Sequence, residues 1–213
     1  MDVLPKKLSF LSMIYIWIKH GNPFIYHYFN NCKVLDVGCG KGEFLMRNPE
    51  NFYGIDISKS LVDICVSKGL NATVASATDL PFQDESIEAI NCDNIIEHLP
   101  PDSAATMLNE FARVLKKGGV IVLRSPLGEN VWNTFSHLRP YPPIAIKKLI
   151  TCEVEEFIRP ENNYLKTIQI VHIYFQGKYY KNPLFLVLSN AFAHFVPWSR
   201  KYAYVLVLST LSS

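Results

Sequence analysis

The chain has little charge to spare. Of its 213 residues, 21 are Lys or Arg and 19 are Asp or Glu, a formal net charge of +2. So small an excess builds no basic face for phosphates, and it argues against a nucleic-acid partner. The pairs Lys116-Lys117 and Lys147-Lys148 are short and read as solvated helix ends. Cysteine is sparse as well. The five thiols (Cys32, Cys39, Cys65, Cys92 and Cys152) never form a Cys-x-x-Cys pair. That excludes a zinc knuckle or a disulfide framework and predicts a reducing compartment. Nor do His20, His27, His172 and His194 stand at ligand spacing, so they read as packing or surface residues and no metal is expected. No apolar run reaches the roughly 20 residues needed to cross a bilayer. Leu8 to Ile18 is broken by two serines, and Pro183 to Trp198 by Ser189, Asn190 and His194. No small-residue cleavage site follows the first run. The expectation is a cytoplasmic protein without internal repeats.

What the chain does have is apolar bulk, 49% hydrophobic and 13% aromatic, enough for one domain with a real core. From about residue 30, short apolar runs alternate with helix-like stretches. Lys33–Val37, Asn51–Ile55, Asn71–Ala75, Ile87–Cys92 and Val120–Leu123 read as strands. Short helices are expected near Gly42, after Ser58 as a cap with Gly69 closing, and over Ile144–Ile150. Asp102–Leu115 is the clearest helix: Ala104, Met107, Leu108, Phe111, Val114 and Leu115 share one face, and Gly118 is expected to end it. Val154–Ile158 and Tyr202–Ser209 read as further strands, and the aromatic stretch between them resists assignment. Alternating strands and helices make a parallel sheet whose ligand lies at the carboxyl ends of the strands, where strand order reverses.

The strongest chemical signal is Val34-Leu35-Asp36-Val37-Gly38-Cys39-Gly40-Lys41-Gly42. A strand that runs into glycines and then a helix brings backbone N–H groups close to a ligand. Where a dinucleotide fingerprint wants its third glycine, this chain has Glu43. Asp36, at the strand end, would repel a pyrophosphate but attract an ammonium or sulfonium centre. The second signal is Tyr53-Gly54-Ile55-Asp56. An acid at the tip of the second strand is placed to accept both hydroxyls of a ribose.

These strings, followed by Asp79-Leu80-Pro81-Phe82, Ile95-Ile96-Glu97-His98-Leu99 and Phe111 to Ile121, resemble the class I S-adenosylmethionine-dependent methyltransferases. They are most similar to the ubiquinone/menaquinone C-methyltransferase branch. The resemblance covers about residues 30–126. A weaker one runs through Ser136-His137-Leu138-Arg139-Pro140-Tyr141, which is similar to methyltransferases of surface-glycan clusters. It implies an α/β Rossmann-like, doubly wound seven-stranded sheet, mostly parallel with an antiparallel last strand. Residues 1–29 would form a helical lid, and 30–213 the methyltransferase domain, with an aromatic-rich substrate-side insertion at about 127–200.

The resemblance further implies S-adenosyl-L-methionine as cofactor. Asp36, Gly38, Cys39 and Gly40 would face its methionine end, Asp56 its ribose, and Ile57 its adenine. Ser76 and Ala77 stand where the family has an acid and an alanine, so Ser76 is a departure. Cys92, Asp93 and Asn94 would lie near the sulfonium. A base is needed only if the acceptor must lose a proton. His98 and His137 are the candidate catalytic groups, with loop-holding the competing role for His98, and Arg139 is a candidate partner for an acceptor carboxylate or phosphate. The expected acceptor is a small molecule, with peripheral membrane contact by the two greasy runs as an alternative to the lid. A non-catalytic cofactor-binding module is the competing class.

Overall fold

A computed structural model describes residues 27–29, 32–154, 160, 162–176 and 203–211. Its strands are β1 (Val34–Val37), β2 (Phe52–Asp56), β3 (Ala72–Val74), β4 (Ile87–Asp93), β5 (Leu115–Pro126), β6 (Ile168–Gln176) and β7 (Ala203–Thr210). They form one sheet of order β3-β2-β1-β4-β5-β7-β6. All neighbours pair in parallel except β7, which runs antiparallel to both β5 and β6. This is the Rossmann-like, doubly wound sheet that the alternation and the resemblance lead one to expect. All four residues of β1 are buried, as a strand covered on both faces requires. Strand order reverses between β1 and β4, which places a ligand at their carboxyl ends.

Among the described residues, three α-helices pack on the sheet: α1 (Lys59–Ser67), α2 (Pro101–Val114) and α3 (Pro143–Ile150). Helix α2 starts on Pro101, whose missing N–H costs nothing in a first turn. It buries Ala104, Met107, Leu108 and Phe111 against the sheet. On the other face, Tyr28, Phe29 and Phe52 join Val34, Ala89 and Val122. The Phe29 ring meets Phe44 edge-on with centroids 5.3 Å apart.

Several boundaries differ from expectation. The helix expected near Gly42 is one 3-10 turn, Leu45–Arg47, because β2 begins five residues later. Ser58 occupies the N-cap of α1, but its hydroxyl pairs with Ser60 and leaves the helix N–H groups uncapped by its side chain. Helix α2 ends at Val114, one residue before the expected Leu115, and Gly118 is not what stops it. Ile87 on β4 already pairs with Leu115, so Gly118 takes its positive φ of 74° inside β5. Lys116 accordingly lies on a strand, where it donates to Glu88 at 3.0 Å. Strand β6 arises from the aromatic stretch that the sequence left unassigned. Of the strand expected at Val154–Ile158, only Val154 is described, and it is a bend. Most of the lid expected at 1–29, and the apolar run 185–198, lie outside the described residues. No helix among the described residues is long and apolar enough to cross a membrane.

Candidate functional site

Chain direction and register assemble the site at the carboxyl ends of β1, β2 and β4. Asp36 lies opposite Asn91 in the β1–β4 register, and the Asn91 amide donates to its Oδ1 at 2.7 Å. The carboxyl is only 4% exposed. Burial pushes its pKa up to about 6, the Asn91 hydrogen bond opposes that, and the nearby charge of Asp56 adds to it. Past β1, the N–H groups of Gly38 and Cys39 both donate to the Ile55 carbonyl, which turns the loop over the tip of β2. Gly38 has φ 74°, and any Cβ there would enter the Ile95 side chain. Gly40 has φ 55°, and its Cβ position faces open space. That space is the cradle a ligand would fill.

Asp56 fastens this loop. Its Oδ2 accepts the Gly40 N–H at 3.0 Å and its Oδ1 the Ser58 N–H at 2.9 Å. A carboxylate has about four lone-pair sites, so acceptor capacity remains for ribose hydroxyls. Beside it, Ile57 is 80% exposed, an apolar side chain offered to a flat ring. Ser76 and Ala77 sit in a turn that begins where the Ala75 N–H donates to the Asp56 carbonyl. The Ser76 hydroxyl is engaged with Thr78 at 2.8 Å. The following Leu80-Pro81-Phe82 segment is stitched to α2, where Arg113 donates to the Leu80 and Phe82 carbonyls and Glu110 accepts the Leu80 N–H.

At the tip of β4, Asp93 lies opposite Arg124 of β5 and forms an ion pair with it. Its carboxylate is therefore committed to the sheet. Asn94 follows with φ 56°, and its N–H donates to the Arg124 carbonyl. Next, Glu97 is fully buried, accepting the Ser125 hydroxyl on Oε2 at 3.0 Å while Oε1 has no hydrogen-bond partner. Burial holds its carboxyl above the ordinary range. The chain after β5 folds back here: the Leu138 N–H donates to the Glu97 carbonyl at 2.8 Å. That strap brings together both histidines expected at the site. The His98 and His137 rings meet edge-on with centroids 4.6 Å apart. Arg139 stays exposed, its guanidinium 5.2 Å from the centre of the Tyr141 ring. Sequence reasoning missed Asn91 and Glu97, because nothing local marks a residue whose partner lies on another strand.

Residues 35–123 match the family model described as a methyltransferase domain. Over that segment the chain is similar to methyltransferase domains. Its cofactor is S-adenosylmethionine, and the residues present fit it: an open glycine cradle, the two acids Asp36 and Asp56, and the exposed Ile57. A solved S-adenosylmethionine-dependent methyltransferase from Archaeoglobus fulgidus shares the fold, with 20% identity, a TM-score of 0.66, and coverage of 93% of this chain and 99% of that one. Among curated proteins, the tRNA (carboxymethyluridine(34)-5-O)-methyltransferase of Arabidopsis thaliana is 33% identical over 60% of this chain and 30% of its own length. A probable tRNA methyltransferase 9B of Homo sapiens is 34% identical over 42% of this chain and 20% of its own. The chain thus spans less than half the length of these relatives. Their names overturn the expectation of a small-molecule acceptor with no nucleic-acid partner. That expectation rested on a net charge summed over the whole domain, which does not register where stacking side chains are displayed.

Proposed function

We propose that the protein transfers the methyl group of S-adenosylmethionine to an oxygen of a tRNA nucleotide, of the carboxymethyl kind named for its relatives. The observation that carries the reading is the display on the loop after β5. Trp132 is 60% exposed, Phe135 wholly so, and Leu138 54%, with Arg139 beside them. Single-stranded RNA is recognised by unstacked bases laid on aromatic and guanidinium planes, which needs little net charge. The same loop is strapped to Glu97 at the strand ends, so a base held on it would stand near the cofactor site.

When bound, the cofactor supplies a methyl group already activated on sulfur. Asp36 and Asp56 would hold its ammonium and ribose, the loop of Gly38, Cys39 and Gly40 would face the methionine end with open space at Gly40, and Ile57 and Ala77 would flank the adenine. Ser76 shapes the turn that carries Ala77, and the backbone of Asp93 would face the sulfonium. A carboxylate acceptor is ionised at neutral pH, so no base is required. His98 and His137 then shape the acceptor side and take no proton, while Arg139 neutralises the carboxylate until the ester forms. Within the class, the likeness to the ubiquinone/menaquinone branch extends to the shared motifs and not to the acceptor.

The test is incubation with methyl-labelled cofactor and hypomodified tRNA, followed by nucleoside mass spectrometry. A methyl group on one uridine derivative, released by mild base as an ester would be, is expected. Cofactor binding without any label in RNA would overturn the tRNA reading.

A further inference from the structure

We propose that Glu97, His98 and His137 form a binding site for one divalent transition-metal ion, zinc suiting it best. The three side chains each bring one ligand atom, and these atoms lie within 4.8 Å of one another. Glu97 points its unpartnered Oε1 into this space from a fully buried position. The His137 imidazole already turns its Nε2 toward Glu97, and each ring has its Nδ1 on a backbone carbonyl. His98 Nδ1 lies 3.1 Å from the Ser136 carbonyl, and His137 Nδ1 lies 2.6 Å from the Val131 carbonyl. A carbonyl only accepts, so Nδ1 carries the proton on each ring and Nε2 presents its lone pair. That is the backing typical of metal-bound histidine.

The spacing agrees with the chemistry. His137 Nε2 stands 3.9 Å from Glu97 Oε1, too far for a hydrogen bond. Two ligands each about 2.1 Å from a tetrahedral ion are roughly 3.4 Å apart, so a small closure of the loop completes the pair. Two imidazoles and one carboxylate suit zinc, whereas magnesium prefers an all-oxygen shell. Three protein ligands also leave a fourth position, open through the partly exposed His98. An acceptor oxygen could take that position; this use alone rests on the function proposed above. No linear spacing announces the site, since Glu97 and His98 are adjacent and His137 arrives on a different loop.

The test uses the full chain without an affinity tag, stripped by a chelator and titrated by calorimetry with zinc chloride and, separately, magnesium chloride. One equivalent of zinc is expected, bound at least about a hundredfold more tightly than magnesium. Cobalt(II) at the same site should show the intense visible bands of a tetrahedral centre. Glu97→Gln and His98→Ala should each weaken zinc binding at least about tenfold, with His172→Ala on β6 as the unaffected control. The partly exposed His98→Ala guards against a folding defect in Glu97→Gln, and retained cofactor affinity reports an intact fold in both. Absent or substoichiometric zinc, equal affinity for magnesium, or variants that bind like the parent chain would overturn the proposal. Zinc binding by a protein that methylates no RNA would uphold the site and remove only the acceptor assignment.

Discussion

Asp36 holds a carboxyl group where water barely reaches it, and its pKa rises to about 6 as a result. A native pKa above the unfolded value near 3.8 means that the group's contribution to stability is complete below that value and is lost as pH rises through about 6. Above that pH the cofactor-free protein carries a costly buried anion, and a bound cation relieves it. Asp36→Asn is therefore expected to stabilise the cofactor-free protein by about 1–3 kcal/mol near pH 8 and by little near pH 4, while cofactor binding collapses. Thermal unfolding across that range checks it, and an equal effect at both ends would remove charge as the cause. Asp56 acts differently, since it accepts two backbone N–H groups before any ligand arrives. Asp56→Ala should weaken cofactor binding by about 2–3 kcal/mol, roughly 30–150-fold, and also lower the melting temperature. Calorimetry with parallel thermal melts reads both losses.

Helix α2 shows how an element carries a motif it does not contain. From it, Arg113 donates to two carbonyls of the Leu80–Phe82 segment, to Asp84 and to Glu110. Arg113→Met is expected to cost about 2–3 kcal/mol in denaturant unfolding and to speed amide exchange over residues 79–84. Faster exchange spread evenly over the molecule would show that the stitch has no local role. The apolar face of α2 was legible from its spacing, because packing on a sheet demands that periodicity. Its end was legible to within one residue, but Gly118 does not set it, because Leu115 already pairs with Ile87 three residues before that glycine. Strand β6 escaped for a related reason: a register shift between Ile170 and His172 breaks the alternation by which a strand is read.

At the scale of the whole molecule, the number of phosphates its cations can contact sets how RNA binding should respond to salt. Each phosphate contact to a single strand contributes a slope of about −0.7 to the logarithmic salt dependence. With Arg139 on the loop and Lys147 and Lys148 on the helix after it as exposed cations, the slope should be no steeper than about −2. Replacing both Trp132 and Phe135 by Ala should cost about 1–3 kcal/mol per stacked base, read by fluorescence anisotropy on an anticodon stem-loop. A steep slope with no effect of the aromatic changes would assign binding to a basic face instead. The sequence by itself determined the cofactor half. Asp36, the glycines and Asp56 lie on consecutive strands and the turns that leave them, whose geometry is local, so residue order alone carries their chemistry. Only the tertiary structure decided the other half. Asn91 reaches Asp36 through the parallel register of β4 on β1, and Glu97 and His98 meet His137 because the chain after β5 folds back onto the Glu97 carbonyl. Contacts of that kind close long loops, and they are fixed by the packing of the whole sheet rather than by any spacing along the chain.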